Sequence, residues 1–277
     1  MYSSGLTSAE LPLPGDLRHA VFRAGIVLHR WGAFALCMAW LLMPSTAVAQ
    51  ANLFNVPSGE IASPHEVFFQ EQVNLTRKFG QSNTTLDYGL WQDFEVGMNF
   101  LDVSIYDRLS PQPFTSQSQV SPDLLFNCQQ GFHPTDWWQV GVGTQVGFNP
   151  PSEVRSSRLL NFTWVVNAFQ LPQERAKVYL GAYYANHPYA GPGTSVGMMA
   201  GAEIPIIEDK FSLMGDLITG NNELGVAVLG GVWNLPHRWQ LSVGVQVPTP
   251  HSQAFEGIVF ELTRLGSGPP RQSDPER

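Results

Sequence analysis

Charge is scarce in this sequence. Only 14% of its 277 residues are Asp, Glu, Lys or Arg, where a soluble protein carries about 25%. The formal net charge is -8 and no Lys/Arg cluster is present to track phosphates, which excludes nucleic-acid binding. There are two cysteines, Cys37 and Cys128, too few for a disulfide scaffold. No apolar run reaches the roughly 20 residues of a spanning helix, so a helical membrane protein is excluded as well. Hydrophobic content is an ordinary 43%, so the chain is not composed like a disordered one. Its stability has to come from extensive pairing and burial.

The first 49 residues carry an export pattern. Arg18, Arg23 and Arg30 precede the apolar run "WGAFALCMAWLLM" (31–43), and "TAVAQA" follows with Ala47 and Ala49 at cleavage spacing. A positive segment, a short apolar segment and a small-residue site make a signal peptide cut after Ala49. Cleavage leaves Cys128 as the lone thiol and a mature chain slightly more acidic than the precursor. The rest divides into a periplasmic entry segment (50–65), a β-barrel (66–263) and a disordered tail (264–277).

Beyond residue 65 the pattern is strand, turn, strand, with no helical period. Twelve stretches alternate with period two, over 66–77, 83–91, 93–102, 123–133, 137–148, 158–169, 177–187, 195–205, 210–219, 223–233, 238–247 and 254–263. "QDFEVGMNF", "TDWWQVGVG" and "PHRWQLSVG" start alike, with "EDKFSLMGD" a looser copy, each a hairpin corner. The connections before these starts are short ("WQD", "HPTD", "IPIIED", "NLPHR"). Most others are longer and rich in Pro, Gly and Ser, as in "DVSIYDRLSPQPFTSQSQVSP". Short turns at one rim and longer loops at the other is the arrangement of a transmembrane antiparallel barrel, and an even strand count puts both termini at the turn rim.

Alternation alone does not say which face is inside, because a soluble sandwich alternates too. Four features place the greasy face in lipid. Aromatics collect at strand ends: Phe94, Phe100, Phe132, Trp137, Trp138, Phe148, Phe162, Trp164, Phe211, Trp233 and Trp239. The greasy parity, for example Trp239, Leu241, Val243, Val245 and Val247, carries no Lys or Arg, either of which would cost about 2–4 kcal/mol at the midplane. Glu71 breaks this rule and fits only as a bulge or register slip. The opposite parity is small and polar, with Asn74, Asn99, Asn127, Gln129, Asn161, Thr163, Asn167 and many glycines, a composition that suits a hydrated lumen. Lastly, "FEGIVFEL" sets Gly257, Phe260 and Leu262 in the spacing of a terminal barrel strand.

On these motifs the chain resembles bacterial outer-membrane β-barrels of the porin or transporter-like kind. "QSNTTLDYGLW", "GAYYANHPYAGPG" and "GVAVLGGVW" are similar to barrels grouped with the aromatic-compound (phenol meta-pathway) outer-membrane family. The resemblance covers most of 52–263 and implies a Gram-negative outer membrane, lipid as the surrounding partner, and the barrel-assembly machinery during biogenesis. It names no substrate. Such barrels often end on an aromatic residue, whereas here "RLGSGPPRQSDPER" follows the last strand.

Chemistry is sparse. HExxH and paired CxxC are absent, and "GVGTQVG" lies on a strand with the wrong spacing for a dinucleotide loop. His65, His133, His187, His237 and His251 fall at turns or loops, and His251 beside Ser252 is only an adjacency. No catalytic residue, metal ligand or cofactor is therefore assigned, and an outer-membrane hydrolase is the minor alternative. The lumen-lining candidates are Asp87, Glu95, Gln139, Gln145, Lys177, Tyr179, Tyr183, Glu203, Asp216, Gln240 and Gln246. Their acidic excess favours cations. The expected function is a channel for passive or facilitated passage of a small solute. The alternative is a closed structural or surface-interaction barrel, and a lumen blocked by 52–64 or by the loop 104–120 would count against an open pore.

Overall fold

Twelve period-two runs become twelve strands in a computed structural model that describes residues 53–108, 122–151, 156–172 and 175–266. The signal peptide, most of the long loop and residues 267–277 lie outside the described residues, and the expected disordered tail is corrected at its start, where Arg264 ends the last strand and Leu265 is buried. The strands are β1 (Val67–Thr76), β2 (Phe79–Trp91), β3 (Phe94–Asp107), β4 (Asp123–Thr135), β5 (Trp138–Phe148) and β6 (Leu159–Gln170). They continue as β7 (Lys177–Ala185), β8 (Val196–Ile207), β9 (Phe211–Ile218), β10 (Val226–Leu235), β11 (Trp239–Pro248) and β12 (Gly257–Arg264). Each pairs antiparallel with the next, and β1 pairs with β12 from Phe69↔Arg264 to Thr76↔Gly257, which closes the barrel. Closure leaves no sheet edge and satisfies the backbone without water.

The strands β2 and β3 run farther than the sequence pattern suggests. At their loop-rim end the chain turns within two residues, because Thr76 Oγ1 accepts the amides of Lys78 (3.1 Å) and Phe79 (2.9 Å), so pairing resumes at once. At the other rim the short turns need left-handed backbone. Asp93 (φ 61°), Asp209 (φ 58°) and His237 (φ 62°) supply it, where polar residues that bond locally tolerate that conformation best. One turn of helix, α1 (His187–Ala190), caps the β7–β8 loop, with the Asn186 side chain accepting the Tyr189 amide.

The outside of the barrel is apolar. Phe126, Leu159, Leu180, Val196, Met198, Leu229 and Val245 are each more than half exposed. Aromatic pairs ring the turn rim: Trp91 on Phe94 (4.5 Å), Trp138 on Phe169 (6.2 Å), Phe211 on Trp233 (5.0 Å) and Phe69 on Trp239 (6.3 Å). A largely apolar belt with an aromatic girdle is a surface made for lipid.

Two expectations about facing are corrected. β6 presents the opposite face: Leu160, Phe162, Trp164, Val166 and Ala168 are buried inside, while Asn161, Thr163 and Asn167 point outward. The large rings have room in the lumen, where Trp164 lies over Gly143 and its Nε1 donates to Gln129 Oε1 (2.9 Å). The outward polar groups satisfy one another, with Thr144 and Thr163 hydroxyls 2.7 Å apart and Trp138 Nε1 donating to Asn167 Oδ1 (3.1 Å). Glu71, for its part, needs no bulge. The β1–β2 register is continuous past it, and its carboxylate accepts the hydroxyls of Ser82 and Thr84 on the same outward face.

The described part of the segment read as a periplasmic entry, residues 53–64, lies inside the barrel. From the middle of the lumen it descends to the turn rim, where residue 67 begins β1. The interior is two-sided to receive it. The β1–β5 wall is mostly amide, hydroxyl and carboxylate, whereas on the opposite wall Tyr179, Met199, Met214, Val228, Val232 and Val259 form an apolar cluster among buried polar groups such as Asp216, Ser242 and Glu261.

Candidate functional site: a plugged lumen and the cavity above it

The plug is anchored by its apolar side chains and by its backbone. Leu53, Phe54 and Val56 are buried in one cluster with the apolar wall. Such burial contributes about 1.5–3 kcal/mol per side chain. Asp216 Oδ2 accepts the amides of Asn55 and Val56, the latter at 3.0 Å, and Glu95 Oε2 accepts the amide of Ala62 at 2.7 Å. Gln139 donates to Gly59 O, Gln129 to Glu60 O (3.0 Å) and Gln72 to Phe54 O (3.1 Å). Lys177 pairs with Glu60. Gly59 (φ +77°) crosses against Gly141, where a Cβ would stand 2.5 Å from the Gly59 Cα, so backbone meets backbone at this point of the wall.

Above the plug a cavity of about 480 Å³ extends to the loop rim. Asp87, Glu95, Asp102, Asp123 and Glu223 line it, and among the described lining residues there is no Lys or Arg. Asn127 Nδ2 donates to Asp87 (2.8 Å), and Asn99 donates to Gln145, which in turn donates to the Tyr189 hydroxyl (2.6 Å). One side is aromatic. Phe162 stacks on Tyr189 (5.3 Å, 23°) and Tyr183 (5.6 Å, 29°) and lies 5.4 Å from Trp164. Burial and the Asp102 and Asp123 carboxylates push the Tyr189 phenol well above its usual range, so it stays neutral. Burial also raises the Glu223 carboxyl above its ordinary value.

The eleven residues expected in the lumen all point inward but divide into separate groups. Asp87, Glu95, Gln145 and Gln246 line the cavity, and Glu95 also holds the plug. Gln139, Lys177 and Asp216 grip the plug, and Glu203 lies opposite Lys177 in the β7–β8 register. Tyr179 is part of the apolar wall, and Tyr183 donates to Thr219 O (2.8 Å). Gln240 donates to Asn234 (2.7 Å) near the turn rim. Sequence reasoning missed Glu60, Phe162, Trp164, Tyr189, Glu223 and the buried Glu261. Glu261 was legible, because it lies on the parity opposite Phe260 and Leu262. The plug residues carried no strand signal to find them by. Ser252 Oγ accepts the Ala254 amide at 3.4 Å, and His251 is exposed at a left-handed turn.

Comparison with known proteins adds likeness of fold only. No family model matches the chain, and no curated protein matches it. Among solved structures it is similar to outer membrane phospholipase A of Escherichia coli, at 14% identity and TM-score 0.43 over 79% of this chain and 99% of that one. The calcium-bound phospholipase dimer of Salmonella typhi gives 13% identity and TM-score 0.44, again over 79% and 99%. The outer membrane channel DcaP of Acinetobacter baumannii gives 11% identity and TM-score 0.32 over 79% and 68%. At these values the likenesses assign no activity.

Proposed function

We propose that this is an outer-membrane channel for a small solute, closed at rest by its own residues 53–64, with the turn rim in the periplasm. The observation that carries the reading is the cavity that extends from the other rim down to the seated segment, which itself counts against a permanently open pore. The attachments of that segment are divided between a few apolar side chains and polar bonds from backbone to wall. Ordering such a segment costs about 1–2 kcal/mol per residue. That opposes gains of similar size from its buried side chains and charge-assisted bonds. A segment held by so small a difference is releasable, and release opens the lumen.

The acidic lining of the cavity selects cations over anions at the entry. No bond-making step belongs to this reading, and none of the site residues is given a catalytic role. The likeness to aromatic-compound barrels gains some support from the motif "GAYYANHPYAGPG", which supplies both Tyr183 and Tyr189 to the aromatic stack. The second reading is a permanently closed structural barrel, favoured by the complete burial of Val56 and near-complete burial of Leu53.

Recordings in planar bilayers separate the two. The full-length barrel is expected to show long closures with discrete, cation-preferring openings, and a barrel lacking residues 53–62 to stay open. Silence from both would leave the structural barrel as the function.

A further inference from the structure

The β1–β2 wall of the cavity carries amides and hydroxyls in cross-strand pairs. From the loop rim inward, Asn74 faces Gln81, Gln72 faces Asn83 and Gln70 faces Thr85, and all six line the cavity. The polar surface continues on β3 to β5 as an ordered chain. Asn127 donates to Asn99 (3.2 Å), Asn99 to Gln145, and Gln145 to the Tyr189 hydroxyl (2.6 Å), so each carboxamide is oriented by its neighbour. Much of the β1–β2 wall is left unused by the protein. Gln81 and Thr85 are half-buried, and neither side chain bonds to another described residue. Asn74 and Asn83 use only their carbonyl oxygens, which accept from Gln72 (3.5 Å) and from the Asp102 amide (2.9 Å). We propose that this wall is the binding surface for a neutral polyhydroxylated solute, a sugar of one or two rings.

The wall matches such a molecule group by group. A carboxamide presents donor and acceptor side by side, and a threonine hydroxyl serves as either, which is what neighbouring hydroxyls on a ring require of their partners. Facing side chains on paired strands stand about 4.5–5.5 Å apart, a distance over which the hydroxyls of one ring are spread. A cation would engage only the acceptors of these groups and leave the amide hydrogens unmet. An anion meets no Lys or Arg among the described lining residues. Ile218, Leu224 and Val226, also in the lining, offer the C–H face of a ring an apolar surface. A volume of about 480 Å³ falls within the range of small-molecule sites.

The inference rests on the reading of the cavity as the channel's entry and names its solute class, yet it is tested by binding alone. Isothermal titration of the full-length barrel in amine-oxide micelles, whose headgroup is not a sugar, would use glucose, glucuronate and cyclohexanol as probes. All three carry a six-membered ring. Glucose is expected to bind, with glucuronate, which adds a negative charge, and cyclohexanol, which keeps one hydroxyl, each at least about tenfold weaker. Gln81→Leu and Thr85→Val remove groups that hold nothing in the protein, so each should weaken glucose severalfold and the pair about tenfold, with circular dichroism and thermal unfolding unchanged. Binding of none of the three, glucuronate or cyclohexanol bound as tightly as glucose, or a glucose affinity untouched in the double variant overturns the site and leaves a wall that is merely wet. Glucose bound by a barrel that never conducts keeps the site and refutes the channel, whereas conduction without glucose binding refutes the site and keeps the channel.

Discussion

Glu71 shows how a single residue can break a compositional rule and still be accommodated. It is a carboxylate on the lipid-facing side, and its partners Ser82 and Thr84 lie on the neighbouring strand, so the cost of carrying charge into that belt is offset by two hydroxyl donors. Stripping both donors in Ser82→Ala/Thr84→Ala leaves the acceptor unpaired and should destabilise the barrel by about 1–3 kcal/mol. Glu71→Leu removes the need for them and should cost nothing or stabilise. Equilibrium unfolding of the refolded barrel in denaturant gives both numbers. Asp216 plays the analogous part inside, as the charged acceptor for two plug amides. Asp216→Asn replaces those charge-assisted bonds with weaker ones, so openings in bilayer recordings should become about tenfold more frequent, with single-channel conductance unchanged.

At the scale of elements, the strands were legible and the plug was not. Period-two alternation located all twelve, because a strand that divides lipid from lumen must alternate whatever its neighbours do. The facing of β6 was misjudged for an identifiable reason. "NFTWVVNAF" is apolar on one parity and mixed on the other, and the rule that greasy faces lipid assumes a watery lumen. Over β6 to β12 the lumen holds an apolar wall packed against Leu53, Phe54 and Val56, so Phe162 and Trp164 belong inside. The segment 53–64 has no period because it is neither strand nor helix. Its position is written in the wall, at Gly141 where the plug backbone crosses and at Asp216 and Glu95 where its amides end, and such marks cannot be read before the barrel is closed. The lumen residues were correctly faced but not correctly grouped, since parity gives direction and says nothing about which strands lie opposite one another.

The described residues form a lipid-facing barrel whose interior is half filled by its own chain. The belt and the girdle fix the barrel in the bilayer, the two-sided interior seats the plug, and the remaining space forms an acidic, aromatic-sided cavity toward the loop rim. Whether the plug leaves its seat is the central claim, and thiol labelling tests it most directly. Ser58 lies in the middle of the plug and is fully buried. In a chain freed of Cys37 and Cys128, Ser58→Cys should react slowly but measurably with a membrane-impermeant maleimide, and about tenfold faster when combined with Asp216→Asn. A thiol that stays unreactive in both backgrounds until the barrel is denatured would contradict the account and make residues 53–64 a permanent filling.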